Sequence, residues 1–146
     1  MDLIKKIINH KDYSSLIDLD DFIKNNPIGT NKFRYFSKRP YKVIKNHIYT
    51  CLYYDGDKCV GYGHLDTEDD IVWLGILVGD TETGKKIGGK IMDDLILNSD
   101  SDILLSVDID NHVAISVYEK KEFHIIETHP TYHIMKLNKN LNNKWK

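Results

Sequence analysis

The chain is poor in cysteine, in arginine and in long apolar runs, and neither sign of charge is in large excess. Its two cysteines, Cys51 and Cys59, offer neither a metal-ligand spacing nor a disulfide framework. They read as small, half-buried apolar residues on neighbouring strands in a reducing compartment. No apolar run approaches the roughly 20 residues of a membrane span. The opening Met1-Asp2-Leu3-Ile4-Lys5-Lys6 lacks the apolar stretch of a signal peptide. These absences predict a cytoplasmic protein with no membrane partner. Twenty Lys and Arg against 22 Asp and Glu give a formal net charge of -2, so no overall basic field exists to hold nucleic acid. Any anion must be bound by a local site. Internal repeats, linkers and low-complexity stretches are missing as well.

What is present reads as one domain. Its 146 residues can bury a sizeable core. Residues 3–8 are compatible with a short strand or with a helix start. Leu16, Ile17, Leu19, Phe22 and Ile23 recur at helical spacing and predict a helix over 13–25, which Asn25-Asn26-Pro27 stops. Residues 28–37 have no clear period and read as loop; they hold Phe33-Arg34-Tyr35-Phe36. Pro40 can open a short helix to about residue 46. From residue 48 the period becomes two. Strands are predicted over 48–54 and 59–65 around Asp55-Gly56-Asp57, with a second turn at Thr67-Glu68-Asp69-Asp70. Residues 71–78 are almost continuously apolar, as in a central strand covered on both faces. Helices follow over 88–97, with Ile91, Met92, Leu95 and Ile96 on one face, and over 111–121, with Val113, Ala114, Val117 and Tyr118 at helical spacing. Strands over 103–107, 123–128 and 132–137 complete a mixed α/β order.

Gly84-Lys85-Lys86-Ile87-Gly88-Gly89 lies between the buried strand and an amphipathic helix. Unpaired N–H groups and a partial positive charge make a helix N-terminus a place for phosphates. Glycine lets the backbone approach an anion, and Lys85 and Lys86 add positive charge to an acidic chain. A plain turn with solvated lysines has the same composition. The segment is neither a Walker A loop nor a dinucleotide-binding fingerprint.

The segment resembles the GNAT superfamily of N-acetyltransferases. That family shows a strand, then [Arg/Gln]-x-x-Gly-x-[Gly/Ala], then a helix. Here the strand is Trp73-Leu74-Gly75-Ile76-Leu77-Val78, the loop is Thr83-Gly84-Lys85-Lys86-Ile87-Gly88, and Gly89-Lys90-Ile91-Met92 continues the helix. Downstream, Asn111-x-x-Ala114-Ile115-x-x-Tyr118-Glu119-Lys120-x-x-Phe123 is similar to the family's second signature. Thr83 replaces the usual Arg or Gln, Lys86 the usual first Gly, and Glu122 a Gly before the Phe.

The resemblance implies a central mixed, mostly antiparallel sheet of six to seven strands, flanked by about four helices, with 71–78 and 103–107 as a splayed parallel pair. It implies acetyl-CoA as co-substrate and no metal. Backbone groups of Ile76, Leu77 and Val78 would hold the pantetheine arm, and Thr83, Gly84, Lys85, Lys86, Ile87, Gly88 and Gly89 the diphosphate. Gly75 would mark the bulge that parts the strands. Tyr118 matches the family's donor to the leaving thiolate, or else completes the helix's apolar face. Asn111 would bond the pantetheine or cap its helix. No carboxylate lies on 71–78, so the base is sought in Gly63-His64-Leu65-Asp66. His64 and Asp66 share a face if the strand continues, and a histidine steered by a carboxylate could accept the ammonium proton. A histidine bonded at a strand end fits equally. Residues 1–47 would form the acceptor side, 48–137 the core and 138–146 a tail. Arg34, Tyr35, Arg39, His47, His64 and Trp73 are acceptor candidates. Arg34 and Arg39 are the only arginines and sit among three rings. Bidentate phosphate contacts and base stacking suit that set, which favours a nucleotide-linked amino sugar; a loop packed by its own aromatic rings, with solvated arginines, fits at least as well. Acetylation of a protein amine, and a non-catalytic CoA-binding module, are the alternatives. A homodimer is compatible with the closing strands.

Overall fold

The period-two segments become β1 (Ile4–Ile7), β2 (His47–Asp55), β3 (Lys58–Glu68), β4 (Ile71–Val78), β5 (Ile103–Asp108), β6 (His124–Thr128) and β7 (Tyr132–Leu137). The helical ones become α1 (Tyr13–Asn25), α2 (Pro27–Lys32), α3 (Ile87–Leu97) and α4 (His112–Lys120), with a 3-10 helix at Tyr41–Asn46. The computed structural model describes residues 2–33, 41–82, 84 and 86–139. The strands form one seven-stranded sheet in the order β1-β2-β3-β4-β5-β7-β6. Every neighbouring pair is antiparallel except β4 and β5. This is the mixed sheet expected from the sequence. No helix among the described residues is long and apolar enough to cross a membrane.

Strand alternation sends successive side chains to opposite faces. On one face Leu65, Val72, Leu74, Leu105 and Val107 join Ile87, Ile91, Met92 and Leu95 of α3 in the larger core. Ala114, Ile115 and Tyr118 of α4 pack against that core. On the other face Leu52, Tyr62 and Leu77 meet Leu19 and Phe22 of α1, with Phe33 alongside. Gly63 lies beneath α3: a Cβ there would come 2.8 Å from Ile91 Cγ2 and 3.1 Å from Leu95 Cδ1.

Four expectations are corrected. Residues 27–32 are helical rather than loop. Pro27 occupies the first turn, and the Asp80 carboxylate, arriving from beyond β4, accepts from the N–H groups of Ile28 at 3.0 Å and Gly29 at 2.7 Å. A cap supplied from about 50 residues away is invisible to any local window. β3 continues past residue 65 to Glu68, so the turn shrinks to Asp69-Asp70, both at positive φ (52° and 65°), the geometry a two-residue hairpin requires. Val113 is not on the core side of α4: it is 79% exposed, and no residue of that helix is fully buried. Finally, Gly75 marks no bulge against β3, because the register runs unbroken from Gly61↔Val78 to Glu68↔Ile71.

Candidate active site

β4 and β5 are in register only at Val72↔Ile103 and Trp73↔Leu104. Beyond Trp73 the strands part. The gap holds a cavity of about 590 Å³ lined by residues 74–78 of β4 and 105–108 of β5. Parting leaves one edge of β4 uncovered by β5. Backbone amides on such an edge need a partner, and an amide-bearing arm laid along it supplies one.

Both faces of the sheet contribute to the cavity walls. Tyr118 and Asn111 come from α4; His64, Asp66 and Glu68 come from β3; Gly29, Lys32 and Phe33 come from the α2 end. Period two puts His64, Asp66 and Glu68 on one face of β3. Their partners are Gly75, Trp73 and Ile71.

His64 is 1% exposed and Tyr62 is fully buried. The Tyr62 hydroxyl and His64 Nδ1 are hydrogen-bonded at 2.7 Å. The His47 ring stacks on His64 at 4.2 Å between centroids, and its own Nδ1 lies 2.9 Å from Thr50 Oγ1. Burial pushes the pKa of His47 down to about 4, so it is neutral near pH 7. The far edge of the His64 ring lies over Gly75: a Cβ there would be 2.4 Å from Cε1 and 2.7 Å from Nε2. That close approach is why residue 75 is glycine. Thus the oxygen seen steering His64 is a phenol, not the expected Asp66 carboxylate.

Tyr118 is half-buried, and burial pushes its phenol pKa up to about 12. Its helix is fixed at both ends. Asn111 accepts from the Ala114 N–H at 3.2 Å, so it caps α4 while also lining the cavity. At the other end Glu122 takes φ 73°, the N–H of Glu122 donates to Glu119 C=O and that of Phe123 to Tyr118 C=O. This is a Schellman turn, completed by the Phe123–Tyr118 ring contact at 6.3 Å. The position at which the chain carries Glu122 instead of glycine is therefore one whose backbone favours glycine.

The same holds for Lys86, which sits at φ 63° as the N-cap of α3 and makes no capping hydrogen bond with its side chain. No acidic residue occupies the first turn of α3, so the opening amides at Gly88 and Gly89 face no repelling carboxylate there. That end suits an anion. The Ile87 side chain, by contrast, is core, 1% exposed, and only its backbone faces that role.

Of the expected site residues, the cavity gathers His64, Asp66, Trp73, Ile76, Leu77, Val78, Asn111 and Tyr118, and stacking adds His47. Gly84, Lys86, Gly88 and Gly89 lie at the α3 end. Arg34, Tyr35, Arg39, Thr83 and Lys85 lie outside the described residues. Sequence reasoning missed Tyr62, Glu68, Asp108 and Tyr132. Continuing the period-two pattern from His64 would have found Glu68; Asp108 and Tyr132 needed the β5–β7 register, which pairs them.

Known proteins share this fold. Mutant forms of the spermidine/spermine N-acetyltransferase SpeG from Vibrio cholerae match at 16% identity over 99% of this chain and 98% of that one, with a TM-score of 0.71. Arabidopsis thaliana NAA60 in complex with acetyl-CoA matches at 14% identity over 95% and 99%, TM-score 0.70. The ribosomal-protein-S18-alanine N-acetyltransferase from Escherichia coli matches at 14% over 94% of each, TM-score 0.67. No curated protein sequence matches the chain. The family model for the acetyltransferase (GNAT) family matches residues 13–123, from the start of α1 to the phenylalanine that closes the Schellman turn. With both signatures inside that span and the parted strands between them, the chain belongs to the acetyltransferase (GNAT) family.

Proposed function

We propose that the chain transfers acetyl from acetyl-CoA to the primary amine of a small acceptor, with both substrates bound together in the gap between β4 and β5. The observation that carries this reading is the cavity between the parted strands, with His64 on one face of the sheet and Tyr118 reaching it from the other side. Bound there, acetyl-CoA supplies the acetyl group as an activated thioester.

The chain's own residues do the rest. The uncovered edge of β4 holds the amide-bearing arm, and the α3 N-terminus holds phosphate. His64 serves as base in the tautomer whose Nδ1–H donates to the Tyr62 oxygen. Nε2 is then the basic atom of the ring, and it lies against Gly75, where β4 has left β5. An alkyl ammonium has a pKa of about 10 and must lose a proton before it attacks, and His64 takes that proton. Tyr118 donates toward the departing sulfur; its burial favours the neutral phenol, so it keeps its proton at physiological pH.

Two free thiols suit a reducing cytosol. A nucleotide-linked amino sugar as acceptor rests on Arg34, Tyr35 and Arg39, none of them among the described residues. Within the described lining a phosphate finds one cation, Lys32.

The test is thiol release from acetyl-CoA with a panel of amines, together with calorimetric titration of CoA. Tyr118→Phe is expected to lower kcat by roughly 100-fold or more while CoA binding persists, the scale of a positioned proton donor. Unchanged turnover would remove Tyr118 from the mechanism, and absence of any CoA binding heat would remove the reading itself.

A further inference from the structure

We propose that Asp80 is a positioning residue for the acceptor: from beyond the end of β4 it holds α2, and through α2 it holds Phe33 against the His64 ring. The inference rests on the acetyltransferase reading and adds to it a residue that is not part of the cavity lining.

α2 has little to hold it by itself. It has six residues, well short of the roughly 12 at which an isolated helix becomes even marginal. None of the six is buried, and the Asn26 side chain makes no capping bond to them. The first amides go to Asp80, whose carboxylate accepts from Ile28 N–H at 3.0 Å and Gly29 N–H at 2.7 Å. The exchange runs both ways. Asp80 N–H donates to Asn26 Oδ1 at 2.8 Å, and Asn26 Nδ2 donates to Phe22 C=O at 2.7 Å, near the end of α1. Gly29 lies against the end of β4, where a Cβ would come 2.9 Å from Leu77 Cδ1.

The other side of Gly29 leads into the cavity. Its C=O accepts from Phe33 N–H at 2.8 Å. Phe33 lines the cavity, and its ring centroid is 6.0 Å from those of Tyr62 and His64. Its tip meets the same spot as the imidazole edge: a Cβ on Gly75 would be 2.9 Å from Phe33 Cζ and 2.7 Å from His64 Nε2. One helical turn therefore joins the Asp80 carboxylate to a ring that walls the proposed base.

The segment that carries Asp80 is fastened in other ways as well. Gly79 N–H donates to Val60 C=O at 2.8 Å, and Glu82 N–H donates to Gly79 C=O at 2.9 Å. Buried Glu82 is also paired with Lys58 of β3. Ile87, at the start of α3, is core. Removing the Asp80 carboxylate thus releases α2 and leaves the CoA side in place. A wall misplaced by about 1 Å can cost a reaction roughly 100-fold, and here that loss falls on the acceptor.

The experiment combines thiol release from acetyl-CoA by the whole chain with calorimetric titration of CoA. The acceptors are alkyl amines, an amino sugar and a lysine peptide. With whichever turns over fastest, Asp80→Ala is expected to lower kcat/KM for the amine by about 10-fold or more and to change CoA affinity by less than about 3-fold. Asp80→Asn keeps the shape and one acceptor oxygen, so it should fall between. If Asp80→Ala does not fold, Asp80→Asn carries the same comparison. In a Phe33→Leu background Asp80→Ala should cost far less than it does alone, because residues that act through one another are not additive. Asp12→Ala is the control. It removes the cap of α1, where Asp12 accepts from Ser14 N–H at 3.1 Å, and should lower the melting temperature while leaving the amine kcat/KM nearly unchanged. An unchanged amine kcat/KM in Asp80→Ala overturns the inference alone. So do equal losses for CoA and amine, additive costs with Phe33→Leu, or as large an amine loss in Asp12→Ala; each leaves the acetyltransferase reading standing. No turnover with any amine overturns that reading and the inference with it.

Discussion

The two faces of β3 and β4 are built from alternate residues of the same strands, yet they do opposite things. On the α3 side the inward positions are Gly63, Leu65, Val72 and Leu74, and Ile91 and Leu95 of α3 pack against them in the larger core. On the α2 side they are Tyr62, His64, Asp66, Trp73 and Gly75, and a cavity remains. Each face needs a glycine, for different reasons. Gly63 makes way for a helix, and Gly75 makes way for the edge of one imidazole. One face is spent on stability and the other on holding polar side chains in place. Substitutions on the two faces should therefore fail differently.

The largest effect is expected on the packed face. Ile91→Ala should lower unfolding free energy by about 2–5 kcal/mol, read by urea denaturation, because Ile91 is fully buried. Turnover well below the melting temperature should change far less. A small loss would show that the packed face can collapse around the cavity.

Next comes the cavity face under acid. Burial holds the pKa of His47 at about 4 against an ordinary 6.5. The unfolded chain therefore takes up the proton first. The stability His47 permits is whole above about pH 6.5 and is lost as pH falls toward 4, on the order of 3 kcal/mol at the limit. Urea midpoints between pH 7 and 4.5 should fall less steeply in His47→Asn than in the unsubstituted protein. Parallel pH profiles would show that His47 is solvated.

Gly75→Ala sharpens the contrast. Its Cβ meets His64 and Phe33, so stability should drop by about 1–3 kcal/mol. The acid limb of kcat against pH should also move, because the displaced ring is the proposed base. A stability loss with an unaltered pH profile would separate His64 from the chemistry.

The smallest effects lie at helix ends. Lys86→Gly and Glu122→Gly should each stabilise by up to about 1 kcal/mol, since both residues hold positive φ. Additive rises in melting temperature would confirm that the strain is local.

By itself, the sequence determined most of the element order and the family. Period-two and helical patterns reflect local backbone geometry and the need to bury one face, so His64 and Asp66 could be placed on a common face before any coordinates. The replaced glycines at Lys86 and Glu122 also stood out there as departures, and both turned out to occupy backbone that favours glycine. Only the tertiary structure decided the rest. It brought Asp80 back to start α2, set Tyr62 rather than Asp66 against His64 Nδ1, stacked His47 on that ring, and ended the β4–β5 pairing after Trp73. Those contacts join residues through register and packing, which no short window encodes. A pattern along the chain says which way a side chain points, but what it meets there depends on strands and helices that arrive from elsewhere.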